Sequence, residues 1–378
     1  AIFWTRSVVL SVICQSAHGV SAALQASSLS SAHVMRREAF MEVSDESANA
    51  TSVEDELARI VYESLSPTGR SEVTATMSRP GPPSKNSLTQ MCVLGNMHSD
   101  TRPFLASQKY HAEVQQAKNA VSSKKLIVAG LWRQIGAEAV EHLWAALSAL
   151  GSFFSDYQFI MLENDSSDST KAGIRTVCAD SDRAWCYTLT GMKSPVLHAG
   201  VAGRVRGLTA LRQVLLAKVR EFDPSGSFDY LMMVDGDIFA EGNAGFDVAG
   251  ALTAFNLMAP NSGQPPPADG VCAYQVAGSS KAYYDTFAHR GPHCPYEQLS
   301  EHPFCPASSC GGGMVVYSMK ALQTSKCGYT YVDEGTCEHI PLNECLARNG
   351  FGKLLLYKPW SVAMSINGDR SDWNCMAV

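Results

Sequence analysis

From residue 124 onward, apolar positions alternate between two textures. Short continuous runs at 125–131, 157–162, 230–234, 314–317 and 354–357 read as buried strands. Longer segments with helical spacing separate them. Residues 138–154 place Val140, Leu143, Trp144, Leu147 and Leu150 on one side, a helix starts near Lys171, and 204–222 is strongly amphipathic. Shorter helices are expected at 246–257 and 342–348, the last stopped by Gly350. Residues 185–189 and 270–276 are extended, Pro265-Pro266-Pro267 marks a loop, and Pro359 is expected to end the 354–357 strand. Strand alternating with helix predicts an α/β fold with a mostly parallel, Rossmann-like sheet flanked by helices and joined by right-handed crossovers.

The N-terminal third lacks this pattern. Residues 23–120 are rich in Ser, Ala and Thr, and Ser78-Arg79-Pro80-Gly81-Pro82-Pro83-Ser84 holds neither a helix nor a central strand. A low-complexity, largely disordered stem is expected there, interrupted at 53–65, where Val53, Leu57, Ile60, Val61 and Leu65 keep helical spacing. Residues 1–22 place Arg6 before the apolar stretch 8–14 and end in Val20-Ser21-Ala22, the pattern of a signal peptide or anchor. Gln15, Ser16 and His18 interrupt it too early for a membrane span, so membrane association is expected only through this N-terminus. Three parts result: 1–22, the stem 23–120, and the folded domain 121–378.

With 46% hydrophobic residues, the 378-residue chain can bury a large core. A net charge of −6 without a long basic run gives no footprint for nucleic acid and argues against such a partner. None of the 12 cysteines shows Cys-x-x-Cys spacing, and most lie from Cys178 onward. With a signal-like start, they predict disulfides in an oxidising compartment: the secretory pathway, in the ER or Golgi lumen, or outside the cell.

The chemistry-bearing residues sit at strand ends. Asp235-Gly236-Asp237 follows the 230–234 run, where open α/β sheets bind ligands, and its carboxylates are hard-oxygen ligands for Mn²⁺ or Mg²⁺. The same tripeptide also serves as a solvated turn. Glu163, Asn164 and Asp165 follow the second strand and are candidates to contact a nucleotide, while Asp168 or Ser169 would cap the next helix. Arg290 would pair with a diphosphate or with Asp285. Gly311-Gly312-Gly313 offers bare backbone to a ligand, or a plain connection. Glu338 is a candidate base toward an acceptor hydroxyl and His339 a candidate metal ligand; both would otherwise cap the following helix.

Leu162-Glu163-Asn164-Asp165-Ser166-Ser167-Asp168-Ser169-Thr170 resembles the ENDSxDxT segment of glycosyltransferases with the GT-A fold, a group that includes the CAP59-like mannosyltransferases. Four further pieces are similar and in order: Val234-Asp235-Gly236-Asp237, Phe246-Asp247-Val248-Ala249-Gly250, Tyr283-Tyr284-Asp285-Thr286-Phe287-Ala288-His289-Arg290 and Cys337-Glu338-His339-Ile340-Pro341-Leu342-Asn343. The resemblance covers 125 to about 360. It implies a metal-dependent, hexosyltransferase-like enzyme moving sugar from a nucleotide-sugar donor to a glycan or glycoprotein hydroxyl. Asp235 and Asp237 would hold Mn²⁺ or Mg²⁺ with His339, Asp237 and Glu338 would be catalytic, and Glu163, Asn164, Asp165, Asp235 and Arg290 would bind the donor. Gly236 departs from relatives with a bulky apolar residue between the aspartates, and 260–268 and 294–310 look like insertions. A nucleotidyltransferase is a rival, although its cation-rich first loop is reduced here to Arg133. An inactive, secreted carbohydrate-binding or scaffold relative is another.

Overall fold

The computed structural model describes residues 66–68, 90–94, 107–189, 200–240, 243–244, 246–259, 267–277, 283, 285–292, 303–333, 335–364 and 373–377. The signal-like segment and the amphipathic stretch at 53–65 lie outside them. In chain order the elements are β1 (Ser66–Thr68), β2 (Gln90–Leu94), α1 (Gln108–Val121), β3 (Lys125–Trp132), α2 (Ala137–Gly151), β4 (Asp156–Asn164), α3 (Thr170–Asp180), β5 (Ala184–Leu189) and α4 (Gly200–Phe222). Then come β6 (Tyr230–Asp235), β7 (Phe239–Ala240), β8 (Asn243–Ala244), α5 (Val248–Ala254), β9 (Gly270–Ala277) and β10 (Phe304–Ala307). The chain closes with β11 (Met314–Ser318), α6 (Met319–Ser325), α7 (His339–Arg348), β12 (Leu354–Met364) and β13 (Trp373–Ala377).

Nine strands form one sheet in the order β1-β5-β4-β3-β6-β11-β9-β12-β10. β5, β4, β3 and β6 are parallel neighbours. β11 enters antiparallel between β6 and β9, and β9 pairs parallel with β12. Antiparallel β1 and β10 close the edges. This is the expected α/β, Rossmann-like sheet flanked by helices, with β1, β10 and β11 running against the other six strands. Its central strands are buried on both faces, as their unbroken Leu-Ile-Val and Leu-Met-Met-Val runs require. β3 leads to β4 and β5 on one side, and the chain then returns to β6 on the other. The carboxyl ends of β3 and β6 therefore flank a topological switch point, where such sheets leave a crevice.

Two sequence expectations are corrected. The stem was expected to run to residue 120, yet α1 belongs to the fold. Tyr110, Val114, Ala117 and Val121, spaced three or four apart, are buried, and the Tyr110 hydroxyl donates to Asp247 Oδ2 at 3.3 Å. Ser107 caps the helix by accepting the Tyr110 N–H at 3.1 Å, a signal obscured by the polar composition around it. Pro359 does not end β12, because the register against β9 shifts between Tyr357 and Ser361 and a bulge accommodates the missing N–H.

Residues 246–250 prove to be a structural motif. Asp247 caps α5 by accepting the N–H groups of Ala249 and Gly250 at 3.0 and 2.9 Å. Gly250 lies so close to the Pro359 carbonyl that a Cβ has no room. Gly250→Ala is therefore expected to lower stability by about 3 kcal/mol, read as a fall in the urea midpoint. Burial pushes the Asp247 carboxyl from 3.8 up to about 7, against the pull of the N–H groups and Tyr110. Because the folded value lies above the unfolded one, Asp247's contribution to stability is full below pH 3.8 and fades as pH rises toward 7. Urea midpoints of wild type should fall relative to Asp247→Asn across that window and run parallel above it.

Candidate active site

Asp235 is the last residue of β6 and lies beside Leu131 of β3. The loop it opens is clamped by backbone: Gly236 N–H donates to the Leu131 carbonyl at 2.9 Å, and Asp235 N–H to the Gly313 carbonyl at 2.8 Å. A Cβ on Gly236 would stand 2.8 Å from the Leu131 oxygen and 3.3 Å from the Trp132 ring. The buried Trp132 indole thus takes up space that a larger residue between the two aspartates would need.

The residue that organises the site was missed in the sequence. Arg212, on α4, donates from Nη2 to Asp235 Oδ1 at 2.6 Å and from Nε to Glu338 Oε1 at 2.9 Å. Its side chain is 5% exposed, as is that of Glu338, whereas that of Asp235 is 31% exposed. Arg212 shares the buried helical stripe of Val205, Thr209, Leu216 and Val219. A cation inside such a stripe was the available signal, since a buried guanidinium requires carboxylate partners.

These charges set one another's protonation. Burial, the largest influence, raises the Glu338 carboxyl, but Arg212, His339 and hydrogen bonds to the group together outweigh it and hold it below the usual carboxylate range. Glu338 Oε2 accepts from the Cys337 thiol at 3.4 Å, so both oxygens are engaged, an arrangement that suits an anchor better than a proton-abstracting base. Burial, then the charge of Arg212, pushes the His339 imidazole down to about 4. It is neutral at pH 7, and its 3.9 Å approach to Glu338 is no ion pair. Asp237 opens to solvent, yet protein atoms crowd its carboxyl. Desolvation and then the charge of Asp235 push it up to about 6, while Arg204 pulls it down.

The 163–170 segment divides into two jobs. Its hydroxyls staple the loop after β3: Thr170 Oγ1 accepts the N–H groups of Ile135 and Gly136, each at 2.9 Å, and Ser169 Oγ accepts that of Ala137 at 2.9 Å. They serve the first turn of α2, which begins at a glycine without a side-chain cap. Asp168 Oδ1 accepts the Thr170 N–H at 3.0 Å and so caps α3. Glu163, Asn164 and Asp165 remain at the strand end. Glu163 is fully buried: Oε1 accepts the Ser166 N–H at 2.6 Å, while Oε2 has no hydrogen-bond partner among the described residues. Asp165 holds a left-handed backbone at φ 49.

In the glycine run, Gly311 and Gly312 are buried and Gly313 is half-buried. A Cβ on buried Gly311 would stand 2.9 Å from both Asp285 Oδ2 and His339 Cδ2, and one on Gly312 (φ +65) would strike the Ala273 carbonyl. Asp285 latches the run by accepting the Gly312 N–H at 2.9 Å, and a Cys272–Cys310 disulfide ties its start to β9. Arg290 stays out of this cluster. It is exposed, and Nη1 donates to the carbonyls of Phe287 and His289 at 3.2 and 2.8 Å.

Among the described residues, no group of three or more His, Cys, Asp and Glu side chains is arranged to hold a metal ion. The expected three-ligand set of Asp235, Asp237 and His339 is therefore not assembled. The two aspartates by themselves suit an oxygen-preferring divalent ion, with Asp235 Oδ1 committed to Arg212 and the remaining positions left to substrate oxygens and water.

No family model and no curated protein matches the chain. Solved structures similar to it include S. aureus TarS residues 1–349, with TM-score 0.38 and 11% identity over 64% of this chain and 60% of that one. Another is the mannosyltransferase PcManGT from Pyrobaculum calidifontis in complex with GDP-Man and Mn2+, with TM-score 0.38 and 8% identity over 73% of this chain and 69% of that one. The chain thus spans about 60% of the TarS structure's length. Likenesses of this size bear on neither substrate nor mechanism.

The stapling role of Thr170 is testable. Thr170→Val removes the acceptor of two backbone N–H groups and should lower stability by about 2 kcal/mol in urea denaturation. Thr170→Ser, which keeps the hydroxyl, should lose less than half of that.

Proposed function

We propose that the chain is a metal-dependent glycosyltransferase that moves a hexosyl group from a nucleotide-sugar donor to a hydroxyl of a glycan or glycoprotein. The observation that carries this reading is the placement of Asp235-Gly236-Asp237 at the switch point of the sheet, with its first carboxylate fixed by a buried arginine.

Transfer places negative charge on the departing nucleoside diphosphate. Mn²⁺ or Mg²⁺ held by Asp235 and Asp237 would neutralise that charge as a Lewis acid. Arg204, whose charge already acts on Asp237, adds a cation at the mouth of the site. The unpartnered, buried Glu163 Oε2 calls for a donor that a nucleotide N–H or ribose hydroxyl provides, and Asn164 and Asp165 flank it. His339, neutral and buried, acts as a polar neighbour of the reacting groups and carries no charge to them. Glu338 contributes through Arg212, and we assign Arg290 no part in diphosphate binding.

Disulfides Cys178–Cys186, Cys272–Cys310 and Cys327–Cys345 fit a lumenal or secreted enzyme. No helix among the described residues is long and apolar enough to cross a membrane.

The test is release of nucleoside diphosphate from a panel of nucleotide sugars, with and without Mn²⁺. Asp237→Asn should slow it by about a hundredfold, the scale of a lost electrostatic stabiliser, and excess Mn²⁺ should restore part of the rate. Absence of release with every donor would reject the reading in favour of an inactive carbohydrate-binding relative, and release that ignores both chelation and Asp237→Asn would reject the metal-dependent mechanism. Glu163→Ala should raise the donor KM by about tenfold with little change in kcat, as for a lost uniform binding contact.

A further inference from the structure

Arg212 donates from two nitrogens of one planar guanidinium to two carboxylates on separate elements. Asp235 ends a β-strand, and Glu338 immediately precedes α7. Only Asp235 is substantially open to solvent. Glu338 is fixed from its other oxygen by the Cys337 thiol, so the guanidinium is seated from behind and holds Asp235 from the front. Backbone clamps at Asp235 and Gly236 fix the loop, not the Asp235 side chain. Among the described residues, the hydrogen-bond partner that holds that side chain is the Arg212 guanidinium.

We propose that Arg212 is a positioning residue, seated by Glu338, that commits Asp235 Oδ1 to itself and presents Asp235 Oδ2 alone to the metal and donor. This rests on the functional reading above. It assigns Glu338 an anchoring role through Arg212 and gives a reason why arginine is required: lysine presents a single ammonium centre and cannot hold both carboxylates in one plane.

The decisive variants are Arg212→Lys and the double replacement Arg212→Gln with Glu338→Gln. The double replacement removes the cation and its buried partner together, so no unpaired buried charge is left to unfold the protein. Each is compared with wild type by crystal structure, thermal midpoint, Mn²⁺ affinity of the free protein and donor kcat. In the double variant the thermal midpoint should stay near wild type, while the Asp235 side chain leaves its rotamer. Mn²⁺ affinity should fall by about tenfold and kcat by about a hundredfold, the scale of a misplaced reacting group. Arg212→Lys should show the same two losses. A purely structural ion pair predicts the reverse: a lowered midpoint for Arg212→Lys, with kcat and the Asp235 rotamer as in wild type. An unchanged Asp235 rotamer, or wild-type kcat in the double variant, overturns the positioning role and leaves the glycosyltransferase reading intact. Donor release indifferent to Asp237→Asn overturns that reading instead, and the Asp235 rotamer still decides the role of Arg212. Should the double variant not fold, Arg212→Lys carries the rotamer and kcat readouts.

Discussion

A guanidinium cannot lie in a protein interior unless carboxylates meet it, and this requirement shapes the centre of the molecule. Arg212 comes from the helix before β6, Asp235 from the end of β6, and Glu338 from just before α7. Arg212 and Glu338 are buried only because these three converge. Their convergence fixes where α4 lies against the sheet, how close α7 approaches, and how the Asp235-Gly236-Asp237 loop leaves its strand. On the proposed reading, stability and chemistry share one cluster: the fold needs the pairings to bury the charges, and the site would need them to hold a carboxylate still.

Around this cluster, glycines mark contact. Gly236 admits the β3 backbone and Trp132, and Gly311 fits between Asp285 and His339. Both bring a polar segment nearer to the site than a side chain would allow. The unusual Gly236 thereby becomes intelligible beside Trp132, which is far from it in sequence and adjacent in space.

Much of the architecture was legible in the sequence. Unbroken apolar runs marked β3, β4, β6, β11 and β12, and the 3.6-residue period marked α2 and α4, because buried parallel strands and amphipathic helices leave strong local patterns. What stayed hidden depends on distant partners. α1 carries a polar composition, and its buried stripe gains meaning only against Asp247. Arg212 is an ordinary helix residue until two carboxylates arrive from residues 235 and 338. Ser169 looked like a local cap, yet with Ser166 and Thr170 it serves the loop and helix before β4. Charge and hydrogen-bonding potential can be read from a sequence, but their partners across the fold cannot.

The antiparallel insertion of β11 also bears on how the chain matures. β6 has β3 on one side, and both are synthesised early, joined through crossovers of modest length. Its other edge is covered by residues 314–318, which follow only after β9 and β10. A chain emerging from the ribosome therefore carries a half-built sheet with a bare, apolar edge ending at Asp235 while the next segments are made. During that interval the edge is open to pairing with other chains. Closure by β11 would bring the Gly313 carbonyl onto Asp235 and set Cys310 opposite Cys272. Oxidation of that pair would then act as a latch on late assembly, protecting the edge before Glu338 arrives to complete the carboxylate cluster.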